Sequence, residues 1–213
     1  LTKYMGGHGT TIGGIIIDAG NFDWSSGLFD EFTEPSAGYH GLVYHDVLGP
    51  AAFLAKVRIE GLRDLGSAPS PFNCFQTIQG LETLSVRIKQ HSKNALKVAE
   101  WLEKQSQVAW VNYPGLKSSK YYKLSQKYLK NGQSGIVTFG LKGGFDSAKK
   151  LTDSTKIFSL LANFGDSKSL IIHPSSTTHQ QLNEEQQKST GVTSDLVRLS
   201  IGLEDPDDLI EDL

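Results

Sequence analysis

The chain has 213 residues, 38% of them hydrophobic, with one cysteine and a formal net charge of −2 from 21 Lys and Arg against 23 Asp and Glu. That length can bury a sizeable core in one large domain or two small ones, and the composition is globular rather than disordered. A near-neutral balance offers no field for a polyanion, so nucleic acid is a poor partner. No run of 18 apolar residues suggests a membrane span, and Cys74 alone cannot close an internal disulfide, so a reducing, cytoplasmic setting fits.

Leu1 starts without an initiator Met and runs straight into Lys3-Tyr4-Met5-Gly6-Gly7-His8-Gly9, which reads as a chain cut at its N-terminus. The β-branched run Ile12 to Asp18 predicts a buried strand. Residues 19 to 45, rich in Gly and Ser and without periodicity, read as a long loop. Val47 to Leu65 predicts a helix, with Pro50 in its opening turn and Gly66 as its stop. Pro69 and Pro71 then break the chain. An amphipathic pattern from Phe72 to Gln105, interrupted at Gly80, predicts one long bridging helix.

Shorter elements alternate after it: strand Val108 to Tyr113, helix Ser118 to Lys130, strand Gly135 to Leu141, helix Phe145 to Phe164, strand Ser169 to His173, helix Leu182 to Ser189 and strand Leu196 to Leu203. Asp205-Pro206 opens a last helix of about two turns, short enough that part of it is expected to be missing. The pattern is α/β or α+β. The boundary falls near residue 70, giving one domain piece over 1–70 and a second domain over 71–213.

Two side chains stand out chemically. Lys3 precedes Gly6, Gly7 and Gly9, where backbone without Cβ can approach a ligand closely, so it reads as a phosphate contact, a covalent amine or a plain surface lysine. The glycines follow the lysine, which excludes a P-loop. Arg198 sits mid-strand, where a guanidinium needs an anion: Asp195, Glu204 or the carboxylate of a substrate. Other candidates are weaker. His173 and His179 lack a third ligand and read as a polar loop, and no metal site is expected. Cys74 reads as a small buried hydrophobe. Lys117, Lys120, Lys123, Lys127 and Lys130 read as a solvated helix face.

Taken together, Thr2-Lys3-Tyr4, Gly6-Gly7-His8-Gly9, Gly80-Leu81-Glu82-Thr83-Leu84, His173-Pro174 with Thr178-His179, and Arg198 to Asp205 make the chain resemble the pyridoxal-phosphate-dependent Cys/Met metabolism family, in order and over its whole length. Gly7 to Gly14 and Ala162 to Asp166 fit the sulfhydrylase branch better than the cystathionine synthases and lyases. The resemblance implies an α/β fold of the fold type I PLP-transferase kind: the C-terminal part of the cofactor domain over 1–70 and the small domain over 71–213.

It implies pyridoxal 5'-phosphate as cofactor, joined to Lys3, with Thr2 on its phosphate. Arg198 would bind the substrate α-carboxylate, with Asn163 and Thr178 beside it. The implied reaction is γ-replacement on O-acetyl-L-homoserine by sulfide or a small thiol. Cystathionine γ-synthase, methionine or cystathionine γ-lyase, and a non-catalytic structural partner are the alternatives. The implied partners are the N-terminal half of the enzyme and further copies in a homotetramer. Alone, the chain is expected to bind the cofactor weakly and to associate through the apolar run Ile12 to Ile17.

Overall fold

The computed structural model describes residues 1–213, and contacts divide them into two compact bodies, Gly13–Cys74 and Leu1–Ile12 with Phe75–Leu213. The second break lies close to the expected boundary near residue 70. The first does not: the opening twelve residues pack with the larger body rather than with the segment that follows them.

In the smaller body the expected strand is absent. Residues 12–19 form no regular element, and Ile12, Ile15, Ile16 and Ile17 are exposed. A β-branched run becomes a strand only where neighbouring backbone takes its N–H and C=O groups, and no strand of this chain pairs with it. The region read as loop holds helix α1 (Asp30–Thr33) and a 3-10 turn (Ala37–Tyr39). The expected helix over 47–65 is α2 (Tyr44–Leu48), a 3-10 turn, α3 (Ala52–Lys56), a π-helical stretch (Val57–Leu62) and α4 (Arg63–Leu65). Phe32, Tyr44 and Ala52 make its core, with the Trp24 indole stacked on Phe53 at 5.2 Å. The Tyr44 hydroxyl donates to Glu60 at 2.9 Å, and burial and that carboxylate push it up to about 12.

The bridging helix is two helices, α5 (Pro71–Glu82) and α6 (Leu84–Leu102), separated at Thr83. Cys74, expected to be buried, is exposed on α5. Beyond them lie β1 (Val108–Asn112), α7 (Tyr122–Tyr128), β2 (Ile136–Leu141), α8 (Gly144–Ser154), β3 (Ser159–Leu160), β4 (Leu170–Ile172), α9 (Glu184–Ser189), β5 (Leu196–Ser200) and α10 (Pro206–Asp212). The sheet runs β1-β2-β5-β4-β3, antiparallel except for the β3–β4 pair.

Period-two alternation divides this sheet into two unlike faces. Val137, Phe139, Val197 and Leu199 pack on Ala95, Val98, Ala99 and Leu102 of α6, on Ala148 of α8 and on Leu209 of α10. Each such aliphatic side chain contributes about 1.5–3 kcal/mol by burial. On the other face Arg198 stands opposite Thr138 of β2 and Ile172 of β4. A cavity of 590 Å³ on the core side, near Trp101, Leu141 and Leu213, is remote in lining from Arg198.

The helix expected over Phe145 to Phe164 stops ten residues early. Thr152 and Ser154 turn their hydroxyls onto the carbonyls of Lys149 and Leu151, and Thr155 is extended. The next three amides, of Lys156, Ile157 and Phe158, donate to the carboxylate of Asp212 on α10 at 2.8, 2.8 and 3.0 Å. Partial burial would raise that carboxyl, but the three donors outweigh it and hold its pKa below the usual value. A depressed native pKa means stability that is present above the unfolded value of 3.8 and lost as pH falls through the native one. Asp212→Ala is therefore expected to cost about 1.5–3 kcal/mol in denaturant melts at pH 7, the difference shrinking towards pH 2. A cost that is the same at both pH values would remove the carboxylate from the account.

Candidate active site

The site is built by two short segments that interlock in the larger body. The first is the turn Leu1 to Thr11. Gly6 N–H donates to the Leu1 carbonyl at 3.0 Å and Gly7 N–H to that of Lys3 at 2.7 Å, curling the chain under the lysine. Gly7 takes φ +73°, a left-handed value that glycine adopts without strain. The second segment, Asn163 to Ser167, lies against β5: Gly165 N–H donates to Ser200 Oγ at 3.0 Å and Ser167 N–H to the Gly7 carbonyl at 2.8 Å.

Their meeting point is Asn163. Its side-chain oxygen accepts from Lys3 Nζ at 2.5 Å, and its backbone carbonyl accepts from Arg198 Nη2 at 3.3 Å. The lysine ammonium also stands 5.0 Å from the centre of the Phe164 ring. Asn163 thus joins an amine 160 residues before it to a mid-strand guanidinium 35 residues after it.

Neither carboxylate considered for Arg198 partners it. Asp195 accepts from the Trp110 indole at 2.8 Å, and Glu204 accepts from the amide and hydroxyl of Ser169 at 2.7 and 2.8 Å. No carboxylate lies within 4 Å of the guanidinium. Burial lowers the Arg198 pKa, yet a guanidinium stays charged in any protein setting, so a half-buried cation is left with one carbonyl contact and donors to spare.

The remaining expected residues divide. Thr2 adjoins Lys3 and is partly buried. Thr178 is exposed and bonds His179 at 2.8 Å, making no hydrogen bond to Lys3, Asn163 or Arg198. His173 is fully buried, held by Ser176 at 2.8 Å and by the Ser194 carbonyl at 2.8 Å, and no cluster of three metal-binding side chains is present. Lys117, Lys120, Lys123, Lys127 and Lys130 are exposed.

Sequence reasoning missed several supports of this site. Asp166 is buried beside Gly9, where a Cβ would come within 2.5 Å of Oδ2. Tyr4 packs edge-on to buried His91 at 5.3 Å, its hydroxyl taking the Gly135 N–H at 3.0 Å. Burial lowers the His91 pKa, and its Nδ1 bonds the Ile201 carbonyl at 2.6 Å. Gly80, read as a flaw in the helix, is where the lysine turn crosses α5: a Cβ there would overlap the carbonyls of Met5 and Gly6. Such close approaches leave no periodic trace in a sequence.

The mixed sheet presents a guanidinium with a single carbonyl contact, linked through Asn163 to a primary amine, a donor pair able to meet a small molecule that carries a carboxylate and an amine-reactive group. The donor set suits pyridoxal phosphate, whose aldehyde needs a primary amine and whose substrates carry an α-carboxylate for an arginine.

Comparison with known proteins agrees with that class. The family of Cys/Met metabolism PLP-dependent enzymes matches residues 1–213, and the chain belongs to it. It is 55% identical to an O-acetyl-L-homoserine sulfhydrylase of Leptospira meyeri, covering 100% of this chain and 50% of that protein. It is 50% identical to a homocysteine synthase of Schizosaccharomyces pombe, covering 99% and 50% respectively. A crystal structure from Campylobacter jejuni, named as an O-acetylhomoserine (thiol)-lyase and carrying a pyridoxyl-lysine monophosphate, superposes with a TM-score of 0.88 at 45% identity. It covers 99% of this chain and 51% of its own. The fold is thus α/β of the PLP-transferase kind, and the chain spans about half the length of the relatives it matches.

Proposed function

We propose that this chain carries the lysine and arginine half of an O-acetylhomoserine sulfhydrylase, which replaces the acetate of O-acetyl-L-homoserine with sulfide or a small thiol to give homocysteine or methionine. The observation that carries the reading is the one asparagine that takes the Lys3 amine on its side chain and the Arg198 guanidinium on its carbonyl. When bound, pyridoxal phosphate supplies an aldehyde that condenses with amines and a ring that draws electron density from Cα.

The protein's own residues do the rest. Lys3 Nζ would hold the cofactor, and as a free amine it is placed to remove the Cα proton of the amino acid and then a Cβ proton. The Cγ–O bond then breaks, and acetate leaves with the electron pair. Sulfur adds at Cγ, and Lys3 returns the protons. Lysine is the side chain that both condenses with an aldehyde and moves protons afterwards. Arg198 grips the α-carboxylate and so aims the Cα–H bond at the amine, a placement that can contribute several kcal/mol to the rate. Asn163 keeps amine and guanidinium in register. Thr2 is assigned to the cofactor phosphate and Thr178 to the flank of the carboxylate.

Residues 1–70 are assigned to the C-terminal part of a cofactor domain and 71–213 to a small domain. An N-terminal half is needed to complete the site, and a cytoplasmic homotetramer is the expected assembly. The absence of any helix long and apolar enough to cross a membrane is compatible with that setting.

The test is product analysis on the chain combined with its complementary half and cofactor. Homocysteine formed from O-acetyl-L-homoserine and sulfide is expected. Cystathionine formed from cysteine would point to a γ-synthase, and a keto acid formed without acceptor to a γ-lyase. No turnover by the complemented protein would make this chain a structural partner.

A further inference from the structure

The lysine turn is held by a residue that the reaction does not use. Arg87, in the first turn of α6, is 5% exposed and has no carboxylate within salt-bridge distance. Its charge is met by oxygen dipoles alone. Nη1 donates to the Tyr4 carbonyl at 2.9 Å; Nη2 donates to the carbonyls of Met5 and Gly80 at 3.3 and 2.6 Å; Nε donates to Thr83 Oγ1 at 3.2 Å. The Gly80 carbonyl belongs to the last turn of α5, where carbonyls lack helical partners and the helix dipole favours a cation. Two glycines make room for the arrangement. A Cβ on Gly7 would overlap the guanidinium, and one on Gly80 would overlap the carbonyls of Met5 and Gly6.

We propose that Arg87 is a positioning residue of the lysine site: its buried guanidinium ties the backbone of Tyr4 and Met5 to the end of α5, and so holds the adjacent Lys3 amine at Asn163. The inference rests on the reading of Lys3 given above. The planar fork matters here. Four acceptors on two separate stretches of chain, Tyr4–Met5 and Gly80–Thr83, are reached by one rigid group, whereas the ammonium of a lysine presents its donors from a single point.

Charge retention should therefore not rescue function. Arg87→Lys and Arg87→Met are compared with the unmodified protein, complemented by its N-terminal half. The first readout is the initial rate at which added pyridoxal phosphate, fixed with borohydride, labels the Lys3 peptide as read by mass spectrometry. The second is kcat and KM for O-acetyl-L-homoserine, and the third is the melting temperature.

Both variants are expected to label Lys3 at least about tenfold more slowly and to lose a similar factor in kcat, because a small misplacement of a reacting group costs one to two orders of magnitude. KM should stay within about twofold, since Arg198 is untouched. A loss confined to melting temperature, or labelling and kcat at the unmodified level, overturns the proposal. Thr83→Val removes the Nε acceptor, together with the hydroxyl's long 3.5 Å bond to the Gly80 carbonyl, and keeps the three guanidinium bonds to backbone carbonyls. Should the Arg87 variants fail to fold, that variant decides: slower Lys3 labelling supports the clamp, and an unchanged rate overturns it. Label on a lysine other than Lys3 in the unmodified protein is a different result, which overturns the Lys3 reading itself.

Discussion

Lys3→Ala is expected to abolish turnover and to remove the borohydride-fixed pyridoxyl label, the largest effect of any single substitution in this chain. Proton transfer by a placed base contributes about 10²–10⁴-fold by itself, and losing the covalent attachment adds to that. Alanine leaves the turn intact, because Gly6 and Gly7 bond the carbonyls of Leu1 and Lys3 through backbone that the change does not touch. Folding should therefore survive. Lys117→Ala is the matched control, an exposed lysine outside the two interlocking segments, expected to change neither label nor rate. Turnover retained by Lys3→Ala, with label moved to another lysine, would end the assignment.

Arg198→Lys comes second in size. An ammonium keeps the charge but cannot form two parallel bonds to a carboxylate, and charge-assisted hydrogen bonds are worth about 1.5–3 kcal/mol each. At 1.36 kcal/mol per decade, loss of one such bond lowers kcat/KM for the amino acid by roughly 10- to 100-fold. Labelling of Lys3 by pyridoxal phosphate should not change, since the guanidinium touches the lysine only through Asn163. The two readouts separate roles: a variant with normal kcat/KM returns Arg198 to a purely structural place in β5, and one that also loses labelling makes it part of the cofactor site.

The elements that were legible in the sequence are those whose own side chains settle them. The strands Val108–Asn112, Ile136–Leu141 and Leu196–Ser200 lie within a residue or a few of their expected spans, because alternation of large aliphatic residues is a local signal. Asp205 caps α10 through the Asp207 amide at 2.8 Å with Pro206 behind it, as the same motif predicts anywhere. Elements depart from their expected spans where a partner distant in the chain decides. Ile12 to Asp18 has strand composition and no strand to pair with, and the residues after Ser154 obey the carboxylate of Asp212 rather than helical periodicity.

The candidate site divides in the same way. The candidates for the chemistry, Lys3 ahead of its glycines and Arg198 as the one charged side chain of β5, were legible in the sequence, since reactivity belongs to residue type and local spacing. The tertiary structure decided which of them share a neighbour: Lys3 and Arg198 both bond Asn163. Asp195 and Glu204 are as near to Arg198 in sequence as any carboxylate, yet each is engaged elsewhere, and the contact the guanidinium makes comes from Asn163, 35 residues away. Arg87, silent in the periodicity of α6, became visible only once the lysine turn had crossed α5 at Gly80, because its role is to fill the hydrogen bonds of carbonyls that sequence neighbours cannot reach.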